Sequence, residues 1–210
     1  MRSAVNWLKP TPPRWRRYAG AFLITGSISS ISGADSPARE CTAERPENAL
    51  AAITGIEIGP TGKVDYREEV HHAALPRPEI AGGILGVTSD GRLLKDQHIP
   101  RREISEIGDA FISLRETPEG AANLLPIPAE FRPMLDAMRL VVTGDAKGVD
   151  AEFMVDLLPE APGWHIRLVP KDPASPEMRI SLTGCGAVLQ VIDIAGADGV
   201  RRVLTLERQQ

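Results

Sequence analysis

Aromatic side chains are scarce in this chain, at 4% of 210 residues, so any apolar interior it builds must be mainly aliphatic. There are two cysteines, Cys41 and Cys185, too few for a disulfide-dense scaffold or a zinc site built from thiolates. Histidine offers little more. His71 and His72 are neighbours on a strand-like run, which sends their side chains to opposite faces, where they cannot share a metal. His98 precedes a proline and His165 falls on the polar side of its strand, so both read as solvated. The nucleophile elbow, the phosphate-binding loop, the dinucleotide fingerprint and the zinc-binding helix pattern are all missing. Nor is there the isolated pair of carboxylates that glycoside hydrolysis needs. No catalytic residue, metal or cofactor is therefore expected.

Long apolar runs are lacking as well. The best candidate, residues 18–31, is too short and too rich in Ser and Gly for a membrane span, which needs about 20 mostly apolar residues. Ahead of it stand Arg2, Lys9, Arg14, Arg16 and Arg17, and no acidic residue occurs before Asp35. A basic stretch, a modest apolar run and the small residues Ser32 and Ala34 make the layout of an export signal, residues 1–34, cleaved near Ala34. Tyr18-Ala19-Gly20 behind Arg16-Arg17 favours general secretion over the twin-arginine route; an uncleaved anchor is a further alternative. Arg39 and Glu40 do not suit a lipoprotein peptidase, so acylation of Cys41 is not expected. Beyond residue 34 lie 19 of the 24 basic residues and all 28 acidic ones, a formal charge of −9. Such a body repels phosphate backbones, which argues against a nucleic-acid partner. In an oxidising compartment Cys41 and Cys185 would either pair or remain two free thiols. Pairing would constrain the unfolded chain by about 5 kcal/mol on the chain-entropy view.

Residues 35–62 read as a lead-in containing a short helix at 47–53, stopped by Gly55 and Gly59-Pro60. Residues 63–210 then make one domain. Period-two patterning predicts strands over 63–73, 83–88, 92–99, 103–107 and 110–114, punctuated by Pro76-Arg77-Pro78, Ser89-Asp90-Gly91 and Gly108-Asp109. Residues 129–143 differ. Phe131, Met134, Leu135, Met138, Val141 and Val142 fall on one helical stripe, with Pro133 confined to the first turn and Gly144-Asp145 closing it. Alternation resumes through Phe153, Val155 and Leu157, then Trp164, Ile166 and Leu168, then Met178, Ile180 and Leu182, and later 189–194 and 203–206. The pattern implies an α+β fold that is mainly antiparallel β: about ten short strands and one substantial helix inserted after the fifth. So long a meander curls, and the helix is the available cover for its concave face.

One charged residue breaks the pattern. Glu68 shares a strand face with Tyr66 and Val70, where a cavity rim, a bulge or an exposed face would each account for it. Arg115-Glu116 and Arg201-Arg202 read as solvated strand ends.

The order of these segments resembles the LolA family of periplasmic lipoprotein carriers, within its divergent LolA-related group. The residues that carry the resemblance are Val64-Asp65-Tyr66-Arg67-Glu68-Glu69-Val70, then Gly83-Ile84-Leu85-Gly86-Val87 with Asp90-Gly91-Arg92-Leu93-Leu94. Gly163-Trp164-His165-Ile166-Arg167-Leu168-Val169-Pro170-Lys171-Asp172 and the closing stretch from Gly199 through 201–206 complete it. The resemblance implies an unclosed, strongly curved β-barrel with a helical lid over an apolar cavity for lipid acyl chains or lipoproteins. It also implies a periplasmic location, transfer partners at the inner or outer membrane, and a monomer. Ser89-Asp90 stands where the family's carriers have a basic residue before a proline, so that residue's lid-latching role is not carried over. On this reading the cavity and lid comprise Tyr66, Ile84, Phe111, Phe131, Leu135, Met138, Val142, Phe153, Val155, Trp164, Ile166, Leu168 and Ile180. The same side chains would equally make an ordinary filled core, because alternation cannot tell a solid barrel from a hollow one. A periplasmic sensor or interaction module binding a protein partner through an apolar groove is the alternative. An enzyme acting on a lipid-linked substrate near Glu68 and His71 is the third reading.

Overall fold

The computed structural model describes residues 41–58, 62–159, 163–175 and 177–207; the expected export signal lies outside them. After a short helix α1 (Ala49–Thr54), the chain runs through six strands: β1 (Lys63–His71), β2 (Glu79–Val87), β3 (Leu93–Ile99), β4 (Glu103–Ile107), β5 (Phe111–Arg115) and β6 (Asn123–Pro126). A single 3-10 turn (Ala129–Phe131) leads into α2 (Arg132–Val142) and α3 (Ala146–Glu152). Five more strands follow: β7 (Phe153–Leu158), β8 (Trp164–Pro170), β9 (Met178–Cys185), β10 (Val188–Gly196) and β11 (Arg201–Glu207).

All eleven strands join one antiparallel sheet in the order β6-β5-β4-β3-β2-β1-β11-β10-β9-β8-β7. Each half is a run of hairpins between sequence neighbours, the cheapest way to pair strands. The first strand then zips onto the last, from Asp65 opposite Glu207 to His71 opposite Arg201. The sheet is curved and unclosed, ending at β6 and β7, with no pairing between those two among the described residues. Register shifts at Gly82/Gly83 and at Leu189/Val191 mark irregularities in the ladder, the kind of break at which strands bend and twist more sharply.

This topology dictates where the helices go. β6 and β7 are opposite edges of the sheet, so the chain between them must travel from one edge to the other, and 129–152 makes that journey as helix. α2 begins as the pattern predicts, with Pro133 in its first turn, where a missing N–H costs nothing. It buries Leu135, Ala137, Met138, Leu140, Val141 and Val142. α3 was not expected: it buries only Val149 and starts from Asp145, whose carboxylate accepts the Gly148 N–H. β6 escaped notice for a similar reason, being four residues long with a partly exposed Leu125 as its most buried member.

The register assigns one face of the sheet to the core. Val64, Tyr66, Glu68 and Val70 of β1 align with Leu85, Gly83 and Ala81 of β2, then with Leu93, Lys95 and Gln97 of β3. On the other side they align with Leu204 and Leu206 of β11, Ile192 of β10, Leu182 and Ile180 of β9, and Ile166 and Leu168 of β8. Apart from Val70 and Ala81, the apolar members of this inner face and the buried faces of α1, α2 and α3 make one continuous core.

The lead-in is fastened to the sheet. Cys41 and Cys185 are joined by a disulfide, the Arg45 guanidinium donates to the Leu158 carbonyl at 2.5 Å, and the Glu57 N–H donates to the Ala187 carbonyl at 2.9 Å. Of the two states left open for the cysteines, the paired one is present.

Candidate functional site

The inner face is built around two aromatics that each lie opposite a glycine. Trp164 pairs across the strands with Gly184, and its indole N–H donates to the Gly186 carbonyl at 2.9 Å. A methyl group on Gly184 would sit 2.2 Å from Cζ2 of that ring, so the glycine is what lets the indole lie flat on the sheet. Tyr66 pairs with Gly83, where an added Cβ would come within 2.1 Å of the Asp96 carbonyl oxygen on β3.

Most of the expected cavity and lid residues do meet. Tyr66, Leu135, Met138, Val142, Phe153, Trp164, Ile166, Leu168 and Ile180 are buried in the common core, with Phe131 and Val155 packed against it and partly exposed. Ile84 and Phe111 do not join them. Ile84 aligns with Asp65 and Asp96 on the opposite face, and Phe111 is 53% exposed. Their neighbours Leu85 and Ile112 hold the inward positions. Choosing a residue one place off in a strand reverses its face.

Over most of the sheet the apolar inner-face residues are buried. Towards the β6 edge the cover thins. Ile112 and Leu114 of β5, with Leu125 of β6, are on the inner face yet only partly buried. Phe131 and Met134, also partly buried, pack against the same core. The apolar wall thus continues out of the core to the surface here. The helix is also tied at this end: the Arg132 guanidinium donates to the Asp109 carbonyl at 2.9 Å, and Arg139 lies 3.3 Å from the Asp109 carboxylate and 3.6 Å from that of Asp136. The basic groups of this attachment are on the helix and the acceptor is in the turn after β4. Burial holds the Asp136 carboxyl above its usual range, with Arg139 and Arg132 opposing that effect.

On the inner face of β1, Glu68 is 4% exposed. Its two carboxylate oxygens meet Lys95 Nζ at 2.5 Å and Arg202 Nη1 at 3.2 Å. Burial alone would raise its pKa; the pairing first with Lys95 and then with Arg202 outweighs that and holds it below the ordinary range. Arg202 is thereby no solvated strand end, whereas Arg201 binds Asp193 through both guanidinium and carboxylate. Lys95 also stands 5.2 Å from the centre of the Tyr66 ring, a cation–π distance. The Tyr66 hydroxyl is buried without a hydrogen-bond partner among the described residues. Burial, then the negative charges of Glu68, Asp96 and Glu103, push it well above the usual phenol range. Lys95 and Arg202 were missed in the sequence. The available signal was Glu68 itself, because a charge in apolar register needs a buried partner, and Lys95 alternates in step with the apolar Leu93.

His71 and His72 lie 3.4 Å from Glu69 and 3.9 Å from Glu79 respectively, which places them with different carboxylates. Arg115 is bound to Glu106, which also pairs with Arg92.

No family model matches the chain and no curated protein does. Among solved structures the chain is similar to a LolA superfamily protein from Nitrosomonas europaea, with 10% identity, coverage of 78% of this chain and 94% of that one, and a TM-score of 0.41. At that identity and overlap the likeness carries nothing about cargo or partners. No helix among the described residues is long and apolar enough to cross a membrane.

Proposed function

We propose that this protein is an exported, non-enzymatic carrier that shelters lipid acyl chains, free or on a lipoprotein, between α2 and the inner face of the sheet. One observation carries the reading: across the inner face an apolar row runs strand by strand from buried Leu93 and Ile107 to partly exposed Ile112 and Leu125 at the β6 edge. An ordinary solid core ends under polar cover, and a wall that surfaces at an unclosed edge gives a hydrocarbon a way in.

Shielding is worth about 0.8 kcal/mol per methylene, so an acyl chain of about 16 carbons gains on the order of 10 kcal/mol. Cargo of that value competes with the packing of Leu135, Met138 and Val142, and with the weak surface ties of α2 to Asp109, each worth about 1 kcal/mol or less. The closed interior is then the empty state, and cargo shifts the helix outward by taking over its apolar contacts. Met138 suits both states because its thioether repacks readily. The Cys41–Cys185 disulfide fits the oxidising periplasm, where release must proceed without ATP by exchange with membranes.

Displacement of a fluorescent fatty acid tests this. The wild-type chain should bind saturably, and Met138→Glu should abolish binding while circular dichroism still reports a folded, β-rich protein, because a carboxylate on the buried helix face repels hydrocarbon. Absence of saturable wild-type binding refutes the carrier reading, and equal binding by both proteins removes α2 from the site.

A further inference from the structure

The carrier reading needs only grease, yet the inner face carries a charged group at its centre. Burying charge on an otherwise apolar wall is costly, and a well-packed apolar replacement is commonly as stable or more so. The arrangement is also lopsided. Two cations from strands on either side of β1 converge on the single carboxylate of Glu68, one on each oxygen. Lys95 can reach it only because β2, which lies between, offers Gly83 and Ala81 on this face. Those two residues leave a shallow trough across β2. The hydroxyl of Tyr66, on the same face and 96% buried with its ring beneath Lys95, lacks any partner among the described residues. Of the further carboxylates on this face, Glu103 accepts from Ser105 at 3.5 Å and Glu79 lies 3.9 Å from His72. Lys95 and Arg202 keep 19% and 28% of their side chains exposed, against 5% for Glu68. Both cations thus keep part of their side chains accessible while the carboxylate between them does not.

We propose that Lys95 and Arg202 bind the anionic end group of the cargo, a carboxylate or phosphate attached to an acyl chain, with Glu68 holding the two cations in place and the Tyr66 hydroxyl supplying a further donor. This rests on the carrier reading and gives it a substrate class: anionic lipids rather than neutral ones. Glu68 acts here as a positioning residue whose charge also weakens the anion's hold. Replacing it with the uncharged isostere therefore tightens binding, which neither a merely structural salt bridge nor a catalytic carboxylate predicts.

The experiment uses the full chain and four probes: a long-chain fatty acid, a single-chain lysophosphatidic acid, the alcohol of the same chain length, and inorganic phosphate alone. The wild type should bind both anionic lipids at least about tenfold more tightly than the alcohol, the fold-change of one charge-assisted hydrogen bond. Glu68→Gln should raise the affinity for anionic lipids severalfold relative to that for the alcohol. Arg202→Met, and the triple variant Glu68→Gln/Lys95→Met/Arg202→Met that removes all three charges, should bring anionic and neutral lipids to within about twofold of each other. Where Arg202→Met alone fails to fold, the triple variant and the gain in Glu68→Gln still decide the matter. Equal wild-type affinity for acid and alcohol overturns the end-group site while leaving the carrier standing. Binding of neither lipid overturns the carrier reading and this site together. Phosphate alone binding through Lys95 and Arg202 without any lipid overturns the lipid assignment in favour of a free anion.

Discussion

Gly184→Ala tests the geometry on which the inner wall depends. The new methyl would sit 2.2 Å from Cζ2 and 2.6 Å from Cε2 of Trp164, and 2.4 Å from the Val188 carbonyl oxygen. Neither neighbour is the free end of a flexible chain. The carbonyl belongs to the turn-proximal end of β10, and the indole is 1% exposed and anchored through its N–H to Gly186. The indole must therefore tilt away. Overpacking of this kind costs about 1–3 kcal/mol, and loss of the indole hydrogen bond adds about 1 kcal/mol. For a domain of this size each kcal/mol lowers Tm by about 2–4 °C, so the variant should melt roughly 5–15 °C below its parent. A Trp7→Phe/Trp15→Phe background leaves Trp164 as the only tryptophan. Its emission should then move to longer wavelength in the variant as the ring leaves its dry seat. Gly91→Ala is the control, since Gly91 has φ +81° and nothing within 4 Å of an added Cβ. That change should cost about 1–2 kcal/mol of backbone strain without altering the emission. A Gly184→Ala protein with the parent's Tm and unshifted fluorescence would refute the close seating of Trp164, and with it the flat inner wall.

Two further outcomes follow from the same structure. The Cys41–Cys185 bridge spans a sequence separation of 144, so Cys41→Ser/Cys185→Ser should lose up to about 5 kcal/mol in urea unfolding, and the wild type with reductant should lose the same amount. Burial raises the folded-state pKa of Asp136 above its ordinary 3.8, so ionising it costs stability as pH climbs through that value, and the cost is complete above the raised folded pKa. Asp136→Asn should accordingly stabilise α2 at neutral pH, with an advantage that fades as pH falls through the raised folded value and is gone below the ordinary one; an advantage that instead grows in acid would contradict the burial.

The strand pattern was legible because a half-buried strand must alternate, and 103–107 is found as β4 (Glu103–Ile107) with both bounds as expected. The helix stripe was legible for the same kind of reason, its Pro133 sitting where a first turn tolerates it. β6 and α3 escaped because each buries too little apolar surface to imprint a period. Among the candidate lining residues, Ile84 and Phe111 were misplaced because Gly83-Ile84-Leu85 and Phe111-Ile112 offer large apolar groups on both faces. Composition cannot choose the inner one; only the register against β1 and β4 does so.

What the sequence determined alone was therefore the local grammar: an antiparallel meander interrupted by one amphipathic helix, with an acidic body and two cysteines. Tertiary structure decided the rest. Pairing β1 with β11 placed β6 and β7 at opposite edges, which obliged the helical segment to cross the sheet and become its cover. The same closure brought Arg202 to Glu68 across 134 residues of chain, turning a lone charge on an apolar face into a paired one. Such meetings depend on which strands lie side by side, and periodicity within a strand, being a property of one segment, carries no record of its neighbours.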